Sequence, residues 1–207
     1  MYDIPQINAE LGRKYVPLGH LPISLFDIAL HDAKAKQGGL PIYQMLGAAK
    51  DKVRAYASSP LLETIDDYIQ YCHQMLDQGF NAIKIHPRCV FEEDLALVHA
   101  LQAEFAGREI GWSLDVDSNY NLEQALKMGR LLDQYQWEFF EEPLSDADLD
   151  SYKALADALD IDVICGGNSL PNLHLIKHAL QMRAWDRSRF DVTSIGGYTG
   201  AIKVMGA

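Results

Sequence analysis

The sequence predicts an α/β protein whose parallel sheet is wound as a (β/α)8 TIM-type barrel, with about six of the eight βα units present. Three observations carry that expectation. Short runs rich in β-branched and aromatic residues recur at "VRAYAS", "AIKIH", "GWSLDVD", "WEFFEE", "IDVICGG" and "FDVTSIGG". Their first residues, Val53, Ala82, Gly111, Trp137, Ile161 and Phe190, stand 29, 29, 26, 24 and 29 positions apart, which leaves room for one crossover helix per step. Polar residues gather at the C-terminal ends of these runs, where a barrel collects its site. A doubly wound sheet is disfavoured because no glycine-rich dinucleotide fingerprint follows the first run, and "GGYTG" after the sixth is too short to be one.

The first element is a helix from Ser24 to about Gln37, with Ser24 as its cap, Gly38 and Gly39 as its stop, and Phe26, Ala29, Leu30 and Ala33 as its core face. After the first strand, Ile65, Tyr68, Ile69, Cys72, Met75 and Leu76 form one apolar stripe at helical spacing, opened by Thr64 and closed by Gly79. Leu95, Val98, Leu101 and Phe105 repeat the pattern after the second strand. Leu122, Ala125, Leu126 and Leu132 follow the third, Leu149, Tyr152, Leu155 and Leu159 the fourth, and Leu173, Ile176 and Leu180 the fifth. The strands are apolar on both faces, as a sheet covered by helices requires.

Composition narrows the partners. The 207 residues are 48% hydrophobic, enough for a packed core, and the net charge of −11 argues against nucleic acid or an anionic membrane as a partner. No apolar run reaches the roughly 20 residues that span a bilayer, and the N-terminal stretch lacks the pattern of a signal peptide. Cys72, Cys89 and Cys165 are odd in number and without CxxC spacing, so a reducing cytoplasm is the expected location.

Chemistry concentrates at the strand ends. The second run supplies Lys84 and His86, the third Asp115, Asp117 and Asn119, the fourth Glu141 and Glu142, the fifth Asn168 and the sixth Asp191. On the alternating geometry of a strand Asp115, Asp117 and Asn119 point to one face, where like charges repel unless a positive charge sits between them. Oxygen ligands on successive strands suit a hard divalent ion such as Mg2+.

In this order the motifs resemble the mandelate racemase and muconate lactonizing enzyme branch of the enolase superfamily. The stretches that carry the resemblance are "ISLFDIALHDAKAKQGGLPIYQMLG", "VRAYAS", "GFNAIKIH", "DVDSN", "FFEEP" and "SIGGYTGAIK", which together span almost the whole chain. The resemblance implies Mg2+ held by Asp117 and Glu141, with Asn168 in "CGGNS" at the position where an acid is usual. It implies that Lys84 helps to neutralise a substrate carboxylate and that His86 stands in for the usual lysine base. Asp191 would belong to an Asp-His dyad, as in the mandelate racemase-like subgroup. Asp115, Asn119 and Glu142 would support the ligands or touch substrate, with Glu142 paired to a cation.

The implied reaction removes the proton next to a carboxylate, with dehydration of a sugar acid as the first reading. A racemase, epimerase or cycloisomerase is the near alternative, and a ligand-binding homologue without turnover, or an inactive fragment, the third. The resemblance also implies a longer parent that self-associates as a homo-oligomer. In that parent residues 1–22 would join a capping domain to the partial barrel of residues 23–207.

Overall fold

The computed structural model describes residues 3–15, 19–167 and 173–206. In chain order the elements are α1 (Ile4–Tyr15), α2 (Leu21–Gly38), α3 (Ile42–Met45), β1 (Ala57–Ser58), α4 (Ile65–Asp77), β2 (Ala82–Ile85) and α5 (Phe91–Glu104). Then follow β3 (Gly111–Asp115), α6 (Leu122–Gln134), β4 (Phe139–Glu141), α7 (Leu149–Ala156), β5 (Asp162–Ile164), α8 (Leu173–Met182) and α9 (Gly197–Met205). They fall into two compact units. One comprises Met1–Val53, Gly167–Gln181 and Phe190–Ala207, and the other Arg54–Gly166 and Met182–Arg189.

The second unit holds the sheet. Its five strands are parallel and pair in the order β1-β2-β3-β4-β5, the sequential winding of a (β/α) barrel wall. The register is regular: Lys84 faces Ser113, Asp115 faces Glu141, and Glu141 faces Ile164. All four residues of β2 are buried, as are Trp112 to Asp115 of β3 and all of β4, which is the pattern of strands covered on both faces. The core comes from the predicted stripes. Tyr68 and Cys72 are buried on α4, Val98 and Leu101 on α5, Ala125 and Leu132 on α6, and Tyr152 and Leu155 on α7. Thr64 does cap α4, in a reciprocal capping box with Asp67, and Asn121 and Gln124 form a second one at α6.

Two strand expectations are corrected. The first run is ordered as a strand only over Ala57–Ser58, with Val53 exposed. Among the described residues the sixth run forms no strand, its neighbourhood offering a single bridge between Ile164 and Arg187. The cause is local: Asp191 Oδ1 accepts hydrogen bonds from both the amide and the hydroxyl of Thr193, at 2.7 Å each, and that turn diverts the chain. Five strands are therefore seen where six were expected.

In the first unit α2 begins at Leu21, earlier than expected, and ends at Gly38, capped by Gly39, whose φ of 64° is the left-handed conformation that glycine favours. Ser24 is no cap. It lies within the helix, donates to the His20 carbonyl and accepts from the Gly196 amide at 2.9 Å. The expected apolar face is also displaced: Phe26 is exposed, and the buried positions are Ile23, Ser24, Asp27, His31 and Ala35. Asp27 sets this face, because its carboxylate accepts from Asn8 Nδ2 at 2.9 Å and from the Thr199 amide at 3.1 Å. A buried polar group stays where its hydrogen bonds are met, and here that outweighs the apolar stripe.

Candidate active site

The C-terminal ends of β2, β3 and β4 bring Lys84, Asp115 and Glu141 together, all buried. Lys84 Nζ donates to Asp115 Oδ2 at 2.6 Å and to Glu141 Oε2 at 3.1 Å, so one ammonium bridges two carboxylates that are register neighbours. Burial alone would lower the lysine pKa, but the Asp115 and Glu141 charges raise it instead. Burial pushes the Asp115 carboxyl up, yet the hydrogen bonds from His86 and Lys84 outweigh it and hold it down at about 2. Both groups are therefore ionised at neutral pH.

His86 is fixed from three sides. Its Nε2 lies 3.2 Å from Asp115 Oδ2, its amide donates to Ser59 Oγ at 2.9 Å, and its carbonyl accepts from the Tyr68 hydroxyl at 2.8 Å. The hydrogen bond to Asp115 raises its pKa, against the pull of burial and of the Lys84 charge. Pro87 restricts the preceding residue to extended backbone, which keeps His86 on the face of Lys84.

Sequence reading missed Arg189. Its Nε lies 3.1 Å from Glu141 Oε1, outside hydrogen-bond geometry, while its guanidinium donates to the Gly166 carbonyl. Among the described residues Glu141 Oε1 is thus a buried carboxylate oxygen without a hydrogen bond. In the sequence Arg189 is one of three arginines, with Arg183 and Arg187, in the stretch ahead of Asp191, and no spacing singles it out. Ser59 and Tyr68 were missed as supports of His86 because backbone-directed hydrogen bonds leave no spacing signature.

The third run does not carry its polar residues on one face. Strand β3 stops at Asp115, and Asp117 and Ser118 take left-handed φ values of 49° and 61°, which breaks the alternation. Asp117 and Asn119 are exposed at the rim, and the Asn119 amide braces the turn by donating to the Val116 and Asp117 carbonyls. Glu142 also departs from expectation. Among the described residues its partner is no cation but the Ser118 hydroxyl, which donates to it at 2.9 Å, and burial raises its pKa. Its carboxyl fills the space over Gly166, where an added Cβ would lie 2.1 Å from Glu142 Cδ. Asp191 belongs to the other compact unit, and Asn168 lies outside the described residues.

A cavity of about 470 Å³ opens beside this cluster, lined among others by Ser59, Leu61, His86, Arg88, Asp117 and Asn119. A larger hollow of about 870 Å³ lies on α5 and α6, bordered by Glu92, His99, Lys127 and Arg130, and is not formed by strand-end residues. The smaller cavity is the one at the strand ends, with His86 and Asp117 in its lining. Among the described residues no three His, Cys, Asp or Glu side chains gather as a complete ligand set. Asp115 and Glu141, with the unbonded Glu141 oxygen, still fit a hard divalent ion, which is commonly held by one or two carboxylates together with water and substrate oxygens.

Sequential parallel strands with ionisable groups at their C-terminal ends define a (β/α)-barrel protein of the enzyme type. The chain matches the family described as "Enolase C-terminal domain-like" over residues 67–207, and it belongs to the mandelate racemase and muconate lactonizing enzyme branch of the enolase superfamily. It is similar to the L-talarate/galactarate dehydratase of Salmonella typhimurium, 32% identical over 96% of this chain and 50% of that protein. It is also similar to the arabinonate dehydratase of Saccharolobus solfataricus, 33% identical over 94% of this chain and 52% of that one. A crystal structure of D-glucarate dehydratase from Agrobacterium tumefaciens complexed with magnesium superposes with a TM-score of 0.87 at 28% identity, covering 98% of this chain and 56% of that one. Other relatives are a cycloisomerase and an epimerase. The chain spans about half the length of the relatives it matches. Among the described residues no helix is long and apolar enough to cross a membrane.

Proposed function

We propose that this site takes part in Mg2+-assisted removal of the proton next to a carboxylate, and that the reaction is the dehydration of a sugar acid. The observation that carries the reading is the Lys84, Asp115 and Glu141 cluster with His86 beside it. Asp115 and Glu141 would hold the ion, supported by their shared register, with Asn168 as a further proposed ligand and Asp117 at the rim. A divalent ion bound there supplies positive charge next to the substrate carboxylate and lowers the cost of the negative charge that develops on it.

The side chains account for the remaining steps. Lys84 adds a second fixed positive charge in a dry site, where it counts for more than in water. His86 takes the α-proton at Nδ1, the ring nitrogen that Asp115 leaves over, and Asp115 stabilises the imidazolium through Nε2. The electron pair released at the α-carbon expels the β-hydroxyl, which leaves as water with the proton that the His86 imidazolium returns, and the enol that remains tautomerises to the 2-keto product.

The test is incubation with Mg2+ and D-glucarate in deuterated water, read by NMR. Formation of a 2-keto acid, lost in His86→Asn, supports dehydration. Exchange of the α-proton with inversion and no keto acid would instead favour the epimerase reading. Lys84 and Arg189 already balance the charges of Asp115 and Glu141, which favours a second reading, ligand binding without turnover. Binding with neither exchange nor product would establish that one.

A further inference from the structure

Arg189 takes no part in the proton transfer, yet its guanidinium lies against one of the two acids proposed to hold the ion. The carboxylate oxygens of that pair differ in what they already accept. Asp115 Oδ2 accepts from Lys84 Nζ at 2.6 Å and lies 3.2 Å from His86 Nε2, and Asp115 Oδ1 accepts from the Asp117 amide at 3.3 Å. Glu141 Oε2 accepts from Lys84 at 3.1 Å. Among the described residues, Glu141 Oε1 is the oxygen of the pair that accepts no hydrogen bond, and Arg189 Nε stands 3.1 Å from it. The oxygen best able to take a new ligand is therefore the one that a permanent cation already covers.

Two cations cannot share that oxygen. A magnesium-type ion sits roughly 2.1 Å from its ligand oxygens and keeps several waters around itself. The guanidinium stands within the shell those waters would fill, and being always charged it repels a second cation at short range. Charge counting agrees. Lys84 and Arg189 offset Asp115 and Glu141, so a divalent ion that entered with Arg189 in place would leave the buried cluster with uncompensated positive charge.

Arg189 can leave without the fold changing. Its backbone is fastened to the end of β5, where its amide donates to Cys165 Sγ at 3.4 Å and its carbonyl accepts from the same thiol at 3.6 Å. The side chain is held less firmly. Its guanidinium donates to the Gly166 carbonyl, but the contact with Glu141 falls short of the paired hydrogen bonds of a guanidinium-carboxylate fork. At 41% exposure it also has solvent beside it to swing into.

We propose that Arg189 is the resident counterion of Glu141, that a divalent ion seats only as this guanidinium swings away, and that Arg189 thereby sets the ion affinity of the site. This rests on the divalent-ion reading of the Asp115 and Glu141 pair and adds the residue with which the ion competes. The test is Mg2+ titration of the full chain by calorimetry, for the native protein, Arg189→Gln and Arg187→Gln. Arg187 is the control, since it pairs with Asp162 and its replacement removes the same charge without touching Glu141. A melting curve checks that each variant is folded. The NMR signal of the Arg189 Nε–H group in the native chain gives a second readout that needs no substitution.

The expected result is Mg2+ binding about tenfold or more tighter in Arg189→Gln than in the native chain. Arg187→Gln should stay within about twofold of native, its charge being screened by solvent. The Nε–H signal should move to fast exchange with water as Mg2+ is added. A residue that merely supported the fold would weaken binding when replaced. Unchanged or weaker binding in Arg189→Gln, equal tightening in both variants, or an Nε–H signal indifferent to Mg2+ would overturn the competition while leaving the ion at Asp115 and Glu141. Binding by none of the three proteins would overturn the divalent-ion reading itself and this inference with it.

Discussion

Lys84 Nζ and Asp115 Oδ2 lie 2.6 Å apart in a buried contact, and the same ammonium reaches Glu141 Oε2 at 3.1 Å. The pair follows directly from a register that places two acids side by side at the ends of β3 and β4. Lys84→Met removes the cation and leaves two buried carboxylates facing each other. Such a break costs roughly 3–5 kcal/mol. Urea unfolding should show that loss, and Mg2+ should restore more stability to the variant than it adds to the native chain.

Acid should weaken the same contact in a defined window. The Asp115 pKa falls from its ordinary value of 3.8 to about 2 on folding. A depressed carboxyl contributes stability that is complete above its unfolded pKa and is lost as pH drops through the folded value, so the loss runs from about pH 4 to about pH 2. Its size is roughly 2.5 kcal/mol. Unfolding free energies across that range should fall in the native chain and change far less in Asp115→Asn.

Gly166→Ala should displace Glu142, because the added methyl would sit where that carboxyl group lies. Overpacking of this kind costs roughly 1–3 kcal/mol. Shortening the neighbour should relieve it, so in a double-mutant cycle Glu142→Ala would recover most of the loss. Additive penalties would show that the two positions do not meet.

Tyr68→Phe removes the hydroxyl that donates to the His86 carbonyl and accepts from the Leu62 amide. The expected cost is about 1 kcal/mol. NMR should show a shifted, broadened His86 ring signal with α4 intact, whereas an unchanged signal would separate Tyr68 from His86.

Much of this was legible in the sequence, and the places where it was not share one cause. Strand positions, the Thr64 cap and the α4 to α7 stripes follow from period and turn chemistry, which are local and additive. The misreadings came where one side chain's hydrogen bonds redirected the backbone or a helix face. Asp191 turned the sixth run through Thr193, Asp27 rotated the buried face of α2, and the left-handed pair Asp117 and Ser118 ended the alternation after Asp115. Lys84, His86 and Glu141 could be picked out as strand-end residues from spacing. That Asp115 is the register partner of Glu141 could not, because it depends on where β3 stops, and strand ends are the least determined feature of a pattern.

We propose that Asp115 and Glu141 form the carboxylate pair on which a divalent ion would rest, with Asp117 at the rim. Mg2+ titration by calorimetry of the native chain, Asp115→Asn, Glu141→Gln and Asp117→Asn tests it most directly. The account predicts binding by the native chain that is abolished in the first two variants and weakened no more than a few-fold in the third. Loss of binding in Asp117→Asn with retention in Asp115→Asn, or no binding by the native chain, would contradict it.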